Sequence, residues 1–181
     1  MKEKISNIEF RMMQGFMALL DHMHHYVGTK AETFGLRNGM TVVDYGCGPG
    51  RYTVEFARLV GSEGKVYAVD ILDIALKETE KRLRKFGMQN VILKQANGYD
   101  TGIMDGAADI VFAIDMFHHV SDTDAFLREI YRISKPDALL IFSGGHQSPA
   151  VVKTRIASTG LWLLTDDNRG FLEYRKANTI I

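Results

Sequence analysis

Asp44, Gly46, Cys47, Gly48, Gly50 and Asp70 are the residues of this chain whose types and spacing suit them to hold a ligand. Asp44 sits at the end of an apolar run, and glycines follow at alternate positions in Tyr45-Gly46-Cys47-Gly48-Pro49-Gly50. Asp70 closes a second apolar run, Lys65-Val66-Tyr67-Ala68-Val69-Asp70, twenty positions beyond Gly50. Glycines permit a tight turn in left-handed backbone and leave no side chain to block a ligand lying on the main chain. A carboxylate at the end of a second strand can accept both hydroxyl hydrogens of a ribose. Together these describe a nucleoside site at the carboxyl ends of strands in an open α/β sheet. The spacing also bears on which nucleoside. A dinucleotide fingerprint reads G-x-G-x-x-G and sets a diphosphate on a helix N-terminus, whereas here it reads G-x-G-x-G with Asp44 two residues before the first glycine. An anion at that point repels phosphate and suits an ammonium or a sulfonium group.

The elements that must position these residues alternate between strand-like and helix-like segments, the pattern of a parallel sheet covered on both faces. Residues 41 to 45 read as the first strand, with a helix from about 51 to 60 behind it. Asp73 reads as the N-cap of a helix that carries Leu76, Leu83 and Phe86 inward and ends at Gly87. Residues 91 to 94 form a short third strand and residues 109 to 114 an apolar fourth, of the kind buried on both faces. Ser121 with Asp124 resembles a capping box for a helix whose stripe is Phe126, Leu127, Ile130 and Ile133, and Lys135-Pro136 stops it. Residues 138 to 143 give the fifth strand. Ser148-Pro149 opens a helix to about Thr159, and residues 161 to 164 and 171 to 175 close the sheet as a hairpin around the turn-rich Asp166-Asp167-Asn168-Arg169-Gly170.

Composition narrows the function classes. At 181 residues the chain is one domain of ordinary size. Its 22 basic and 22 acidic residues cancel, so no basic footprint argues for nucleic acid. Lys77, Lys81, Arg82, Arg84 and Lys85 are interleaved with Glu78 and Glu80, as on a solvated helix face. The single cysteine, Cys47, allows neither an internal disulfide nor a thiolate zinc site. Residues 1 to 20 carry Lys2, Glu3, Lys4, Glu9 and Arg11, unlike a secretion signal, and no stretch reaches the length of a membrane span. The expectation is a cytoplasmic protein with no membrane partner.

With Asp44, the spaced glycines and Asp70 in place, residues 35 to 176 resemble the class I S-adenosylmethionine-dependent methyltransferases, in particular the type 11-like group acting on small molecules. That resemblance implies a single Rossmann-like, seven-stranded, mostly parallel sheet with an antiparallel last strand and helices on both faces. It implies S-adenosylmethionine as cofactor and S-adenosylhomocysteine as product. Gly46, Cys47 and Gly48 would lie against the methionine half of the cofactor, with Asp44 directing its amino group directly or through water. Asp70 would hold the ribose, Ile71 would press on the adenine face, and Ile114 would also line the cofactor site. Asn97-Gly98 stands where the group usually carries aspartate beside a small residue, contacting the adenine amino group. Asn97 keeps one acceptor there but loses the charge. Ala108-Asp109-Ile110-Val111 and Phe117-His118-His119-Val120 match the fourth-strand region of the group. Lys135-Pro136-Asp137-Ala138 matches its entry to the fifth strand, except that Asp137-Ala138 replaces paired glycines.

Methyl transfer from a sulfonium asks mainly for an acceptor held in line with the methyl and for exclusion of water. A base is required only if the acceptor must lose a proton. The candidates are Asp115, His119 and His146, all at or beyond the ends of strands four and five. His118 and His119 form a tempting pair, against which stands a structural or cofactor-cleft role. In the N-terminal part, Ile8, Met12, Phe16, Leu19 and Met23 recur at helical spacing, so residues 1–34 read as a helical cap, either a lid over an apolar acceptor or a plain cover for the sheet. His22, His24 and His25 cluster beside that stripe, but a metal site would need further partners, and no metal is expected. Residues 35–181 form the cofactor-binding domain. The expected molecule is a monomeric or homodimeric enzyme that methylates a small-molecule acceptor. The alternatives are a non-catalytic S-adenosylmethionine-binding scaffold and an NAD-dependent oxidoreductase.

Overall fold

A computed structural model describes residues 26–168 and 170–177, together with Met12. The N-terminal stripe apart from Met12, and the cluster of His22, His24 and His25, lie outside the described residues. The Met12 side chain is exposed. The chain order is α1 (Tyr26–Ala31), a 3-10 turn (Glu32–Phe34), β1 (Thr41–Tyr45), α2 (Arg51–Val60), β2 (Lys65–Asp70), α3 (Asp73–Phe86), β3 (Val91–Gln95) and β4 (Ala108–Ala113). A second 3-10 turn (Phe117–His119), α4 (Thr123–Ile133), β5 (Ser134–Phe142), α5 (Pro149–Ala157), β6 (Trp162–Asn168) and β7 (Phe171–Lys176) follow. The strands form one sheet in the order β3-β2-β1-β4-β5-β7-β6. Pairs from β3 to β5 are parallel, and β7 is antiparallel to both β5 and β6. The expected mostly parallel sheet with one inverted last strand is therefore what forms.

Side chains of the central strands alternate between two apolar layers. Val42, Ile110, Phe112 and Ile141 face α2 and Phe34, whereas Val43, Val111, Ala113, Leu140 and Phe142 face α4 and α5. A strand that meets a core on each face must be apolar at consecutive positions, which is why β1 and β4 read as unbroken runs. The α2 side is aromatic: the Phe56 ring stacks on Phe112 at 4.0 Å and Phe34 meets Phe112 at 5.1 Å and Phe171 at 4.9 Å. Ala31 and Phe34 are buried in this layer, so the described end of the N-terminal segment is built into the domain.

Several boundaries differ from the expectation. The cap of α4 is Asp122, whose Oδ1 accepts the Ala125 N–H at 2.9 Å; Ser121 instead lies 3.3 Å from the Tyr99 hydroxyl. Leu72, in extended conformation, precedes α3 and makes no side-chain cap, while Asp73 is the first helical residue and pairs with Lys77 at 2.6 Å. Leu76 and Leu83 point inward, but Phe86 is 50 % exposed. It occupies the last turn of α3, at the margin of the sheet where β3 has no outer neighbour. β5 begins at Ser134, directly after α4, and Pro136 is accommodated where the register with β4 jumps from Ala108↔Ser134 to Ile110↔Leu139. Proline removes a ladder donor and is admitted at such irregularities. The β6–β7 turn is tighter than expected because Asp166, Asp167 and Asn168 belong to the strand ladder.

Replacing Asp122 with Ala is expected to lower stability by about 1 kcal/mol in urea unfolding, the usual worth of a cap. Ser121→Ala should change it by less than about 0.5 kcal/mol; the reverse order would restore the Ser121 cap.

Candidate functional site

Apolar residues carry β1 and β2 into the core, and each strand delivers a carboxyl group at its carboxyl end. Asp44 is only 4 % exposed, and its Oδ2 accepts the Thr53 hydroxyl of α2 at 2.5 Å. Burial pushes its carboxyl up to about 7; the Thr53 hydrogen bond opposes the rise and the neighbouring Asp70 adds to it. Asp70 is buried too. Its Oδ2 accepts the Gly48 N–H at 3.0 Å and its Oδ1 the Leu72 N–H at 2.9 Å. Burial raises its pKa, while main-chain donors, and to a lesser degree His119, hold the rise back.

Between the two carboxyls the main chain turns back on itself. The Gly46 and Cys47 N–H groups both donate to the Val69 carbonyl, at 2.8 and 3.0 Å. Gly46 has φ 79°, and a Cβ there would come within 2.8 Å of the Met116 side chain, so both conformation and packing exclude a larger residue. Gly48, with φ 54°, is different: a Cβ there would meet nothing within 4 Å, so its open side is available to a ligand. α3 holds the loop from outside, with the Thr79 hydroxyl donating to the Gly48 carbonyl and Arg82 Nε to the Pro49 carbonyl, each at 2.9 Å. The Cys47 thiol packs beneath the loop with Ala68 and Leu76 and is pushed well up by burial. It offers a ligand its main chain at most.

The remaining residues expected on the cofactor side are more scattered. Ile71 is half-buried beside Asp70, and its carbonyl accepts Gln95 Nε2 at 3.2 Å. Asn97 and Gly98 are exposed, in a tight turn closed by paired main-chain bonds between Asn97 and Asp100 at 3.0 and 3.1 Å. Ile114 is buried in the aromatic layer with Phe56 and Phe112, so its side chain serves the core.

Beyond β4 and β5 the structure brings the candidate acceptor-side residues together. Asp115 has φ 55°, a strained conformation for a non-glycine residue, and its Oδ1 accepts the Ser143 hydroxyl at 2.5 Å. The Gly145 N–H donates to the same hydroxyl at 3.4 Å. His118 lies against His119, with ring centroids 3.9 Å apart, and against His146 at 5.6 Å. Its pKa is lowered, chiefly by burial and then by its two imidazole neighbours, with Asp115 pulling the other way. Arg155 of α5 fixes the segment that bears these histidines: its guanidinium lies 4.0 Å from the Phe117 ring centroid and donates to the Val120 carbonyl at 2.8 Å and the Thr123 hydroxyl at 2.7 Å. No group of three or more metal-ligating side chains suited to a metal ion occurs among the described residues.

A family model described as a methyltransferase domain matches residues 36–159, more than half of the chain. The chain belongs to this family, the class I S-adenosylmethionine-dependent methyltransferases. The Escherichia coli ubiquinone/menaquinone biosynthesis C-methyltransferase UbiE is 38% identical over 108 residues, which are 59% of this chain and 43% of that protein. The chain thus spans less than half the length of the curated relatives it matches. Among solved structures, a SAM-dependent methyltransferase from Aquifex aeolicus is 26% identical, with a TM-score of 0.72 over 82% of this chain and 88% of that one. A further methyltransferase structure from Methanococcus maripaludis, 18% identical, shares the fold over 100% of both chains with a TM-score of 0.77.

The geometry fits the cofactor of these methyltransferases. Gly48 leaves an open main-chain surface, Asp70 keeps free lone pairs beyond its two main-chain donors, and Asp44 is a buried acid that a nearby cation would ionise. Thr53, Thr79, Met116, Ser143 and Arg155 went unnoticed in the sequence, and Arg82, expected on a solvated helix face, instead holds the Pro49 carbonyl; apart from Thr53, in the first turn of α2 and nine residues after Asp44, each acts on a residue far along the chain.

Asp44 also ties stability to pH. Its folded pKa lies above that of the unfolded chain, so the folded form holds the proton more tightly and stability is lost as pH rises from about 4 through about 7. Asp44→Asn, which keeps an oxygen for Thr53, should gain on the native protein by about 2 to 3 kcal/mol between pH 5 and pH 8 in denaturant unfolding. Parallel stability curves for the two proteins would contradict the buried, proton-binding carboxyl.

Proposed function

We propose that this protein transfers the methyl group of S-adenosylmethionine to a small-molecule acceptor in the cytoplasm, acting as a monomer or homodimer without a nucleic-acid or membrane partner. The observation that carries the reading is the pair of buried carboxyls on either side of an open glycine turn. Asp44 would face the cationic methionine end, Gly46 and Gly48 would line it with main chain, and Asp70 would accept the ribose hydroxyls. Ile71 and the Asn97-Gly98 turn would border the adenine. The bound cofactor supplies a methyl on a sulfonium, already activated for displacement. What the chain must add is an oriented acceptor and a dry cleft.

The acceptor would lie against Asp115, His119 and His146, on the loops that follow β4 and β5. Two features support this side. Met116, next to Asp115, packs on Gly46, and His119 lies near enough to Asp70 to oppose the rise of its pKa. The acceptor loops therefore abut the cofactor turn. The likeness to a C-methyltransferase of quinone biosynthesis favours a small, ring-containing acceptor over a polymer. Residues 1–34 are proposed as the cap on this side, its described end anchored by Ala31 and Phe34. No helix among the described residues is long and apolar enough to cross a membrane.

Calorimetric titration with S-adenosylmethionine, S-adenosylhomocysteine and NAD tests the reading. Binding of the first two and none of NAD is expected. Asp70→Ala should weaken S-adenosylhomocysteine by about 1.5 to 3 kcal/mol, the range for a lost hydrogen bond to a charged group. Binding of NAD alone, or unchanged affinity in the variant, would overturn the assignment. Binding without methyl transfer to any screened small acceptor would favour a non-catalytic scaffold.

A further inference from the structure

Resting on that reading, we propose that Asn97 widens the selectivity of the cofactor site, so that it holds a 6-oxo purine as well as the 6-amino purine of S-adenosylmethionine. S-Inosylhomocysteine, the deaminated form of the product with hypoxanthine in place of adenine, is then a ligand of the same site. The place of the side chain follows from the sheet. β3 lies beside β2, with Gln95 in register with Asp70, and the Ala96 N–H donates to the Asp70 carbonyl at 3.0 Å. Asn97 is the next residue. A ligand whose methionine half sits at the end of β1 and whose ribose sits at the end of β2 carries its base on toward the end of β3, since the strands follow in the order β1, β2, β3.

At this point a fixed main chain carries a free amide. The paired bonds between Asn97 and Asp100 close the turn. The Tyr45 hydroxyl donates to the Tyr99 carbonyl at 2.9 Å, and the Tyr99 hydroxyl accepts the Asp122 N–H at 2.9 Å. Glu129 Oε1 accepts both the N–H and the hydroxyl of Thr101, at 2.9 and 2.6 Å. β1 and α4 thus hold the turn from two sides. The Asn97 side chain, by contrast, is exposed and makes no hydrogen bond among the described residues. Its polar neighbours are committed: Gln95 Nε2 donates to the Ile71 carbonyl at 3.2 Å, and Asp100 Oδ1 accepts the Gly102 N–H at 2.9 Å.

A carboxamide presents an acceptor and a donor side by side and exchanges them by a half-turn of its last bond. With Oδ1 toward position 6 of the base, Asn97 accepts from the adenine amino group while Nδ2 donates to N1. Turned over, Nδ2 donates to O6 of hypoxanthine while Oδ1 accepts the N1–H. Each base meets a complementary pair. Because the amide has no other bond to give up and the main chain is held, the exchange breaks nothing. A carboxylate at the same place has acceptors only. It suits the amino group of adenine but sets an anionic oxygen against O6, so it selects against the 6-oxo base. Losing the charge at position 97 therefore changes which bases are admitted, in addition to weakening the contact with adenine.

The test is calorimetric titration of the full chain with S-adenosylhomocysteine and, separately, with S-inosylhomocysteine. The native protein is expected to bind the two within about 3-fold of each other, since each makes neutral hydrogen bonds of similar worth, whereas Asn97→Asp should favour S-adenosylhomocysteine by about 10-fold or more. Asn97→Ala should weaken both alike. In NMR spectra of the native protein, the Asn97 side-chain amide signal, identified by its loss in Asn97→Asp, should shift on addition of either ligand. The proposal is overturned if the native protein favours S-adenosylhomocysteine as strongly as Asn97→Asp does, or if that amide signal is unmoved by both ligands. Refusal of S-inosylhomocysteine with S-adenosylhomocysteine still bound overturns this proposal and leaves the cofactor reading standing; failure of both to bind overturns the cofactor reading and this proposal with it.

Discussion

Two carboxyl groups buried at the ends of neighbouring parallel strands are the constraint around which the site is built. A carboxylate taken out of water must be paired, hydrogen-bonded or protonated. Asp70 meets this with two main-chain N–H groups, and one of them, from Gly48, is also what fixes the turn. Asp44 has one strong donor, Thr53, and remains largely a proton-binding acid near neutral pH. The site is thus held in tension: it is short of positive charge, and a cationic ligand would relieve the shortage. A cation bound beside Asp44 would restore the stability that its burial gives up, a common relation between a binding site and its fold.

That constraint propagates outward. The turn reaches Asp70 with Gly46 and Gly48 at positive φ, while α3 supplies Thr79 and Arg82 to the Gly48 and Pro49 carbonyls. Gly46 in turn must stay small because Met116 lies on it, and Met116 is placed by the strained Asp115 that precedes it. Through Asp115 and Ser143 the cofactor turn is linked mechanically to the loop after β5 and the histidine cluster. A change at any one of these positions would be felt both at the glycine turn and at the histidine cluster.

The sequence disclosed the fold well because the parallel core demands long apolar runs: β1 and β4 could be read from Val42-Val43 and Ile110-Val111-Phe112 alone. Gly87 and Ser148-Pro149 gave helix ends correctly for local reasons of backbone conformation and capping. Where it misled, tertiary context decided. Phe86 follows the apolar spacing of α3 but falls at the sheet margin, and Ser121 had the right type for a cap but the chain turns one residue later, at Asp122. At the candidate site, the gathering of Asp44, Gly46, Gly48 and Asp70 was legible because all four lie within one βαβ unit. Cys47 and Ile114 were named as ligand contacts from their positions, yet their side chains point into apolar layers. Thr53, Thr79, Met116 and Ser143 hid because a helical threonine, a methionine or a serine says nothing of the distant residue it holds.

Proton release on binding probes the buried acid and its ligand together. Titrating the protein with S-adenosylhomocysteine at pH 6 and again at pH 8, in buffers of different ionisation enthalpy, measures it directly. At pH 6 Asp44 is mostly protonated, and a ligand ammonium drawn beside it should expel that proton, so the observed heats should differ between buffers; at pH 8 the difference should fall away. Heats independent of buffer at both pH values, with binding intact, would mean that Asp44 does not meet the cationic end of the ligand and would contradict the assignment on which the site rests.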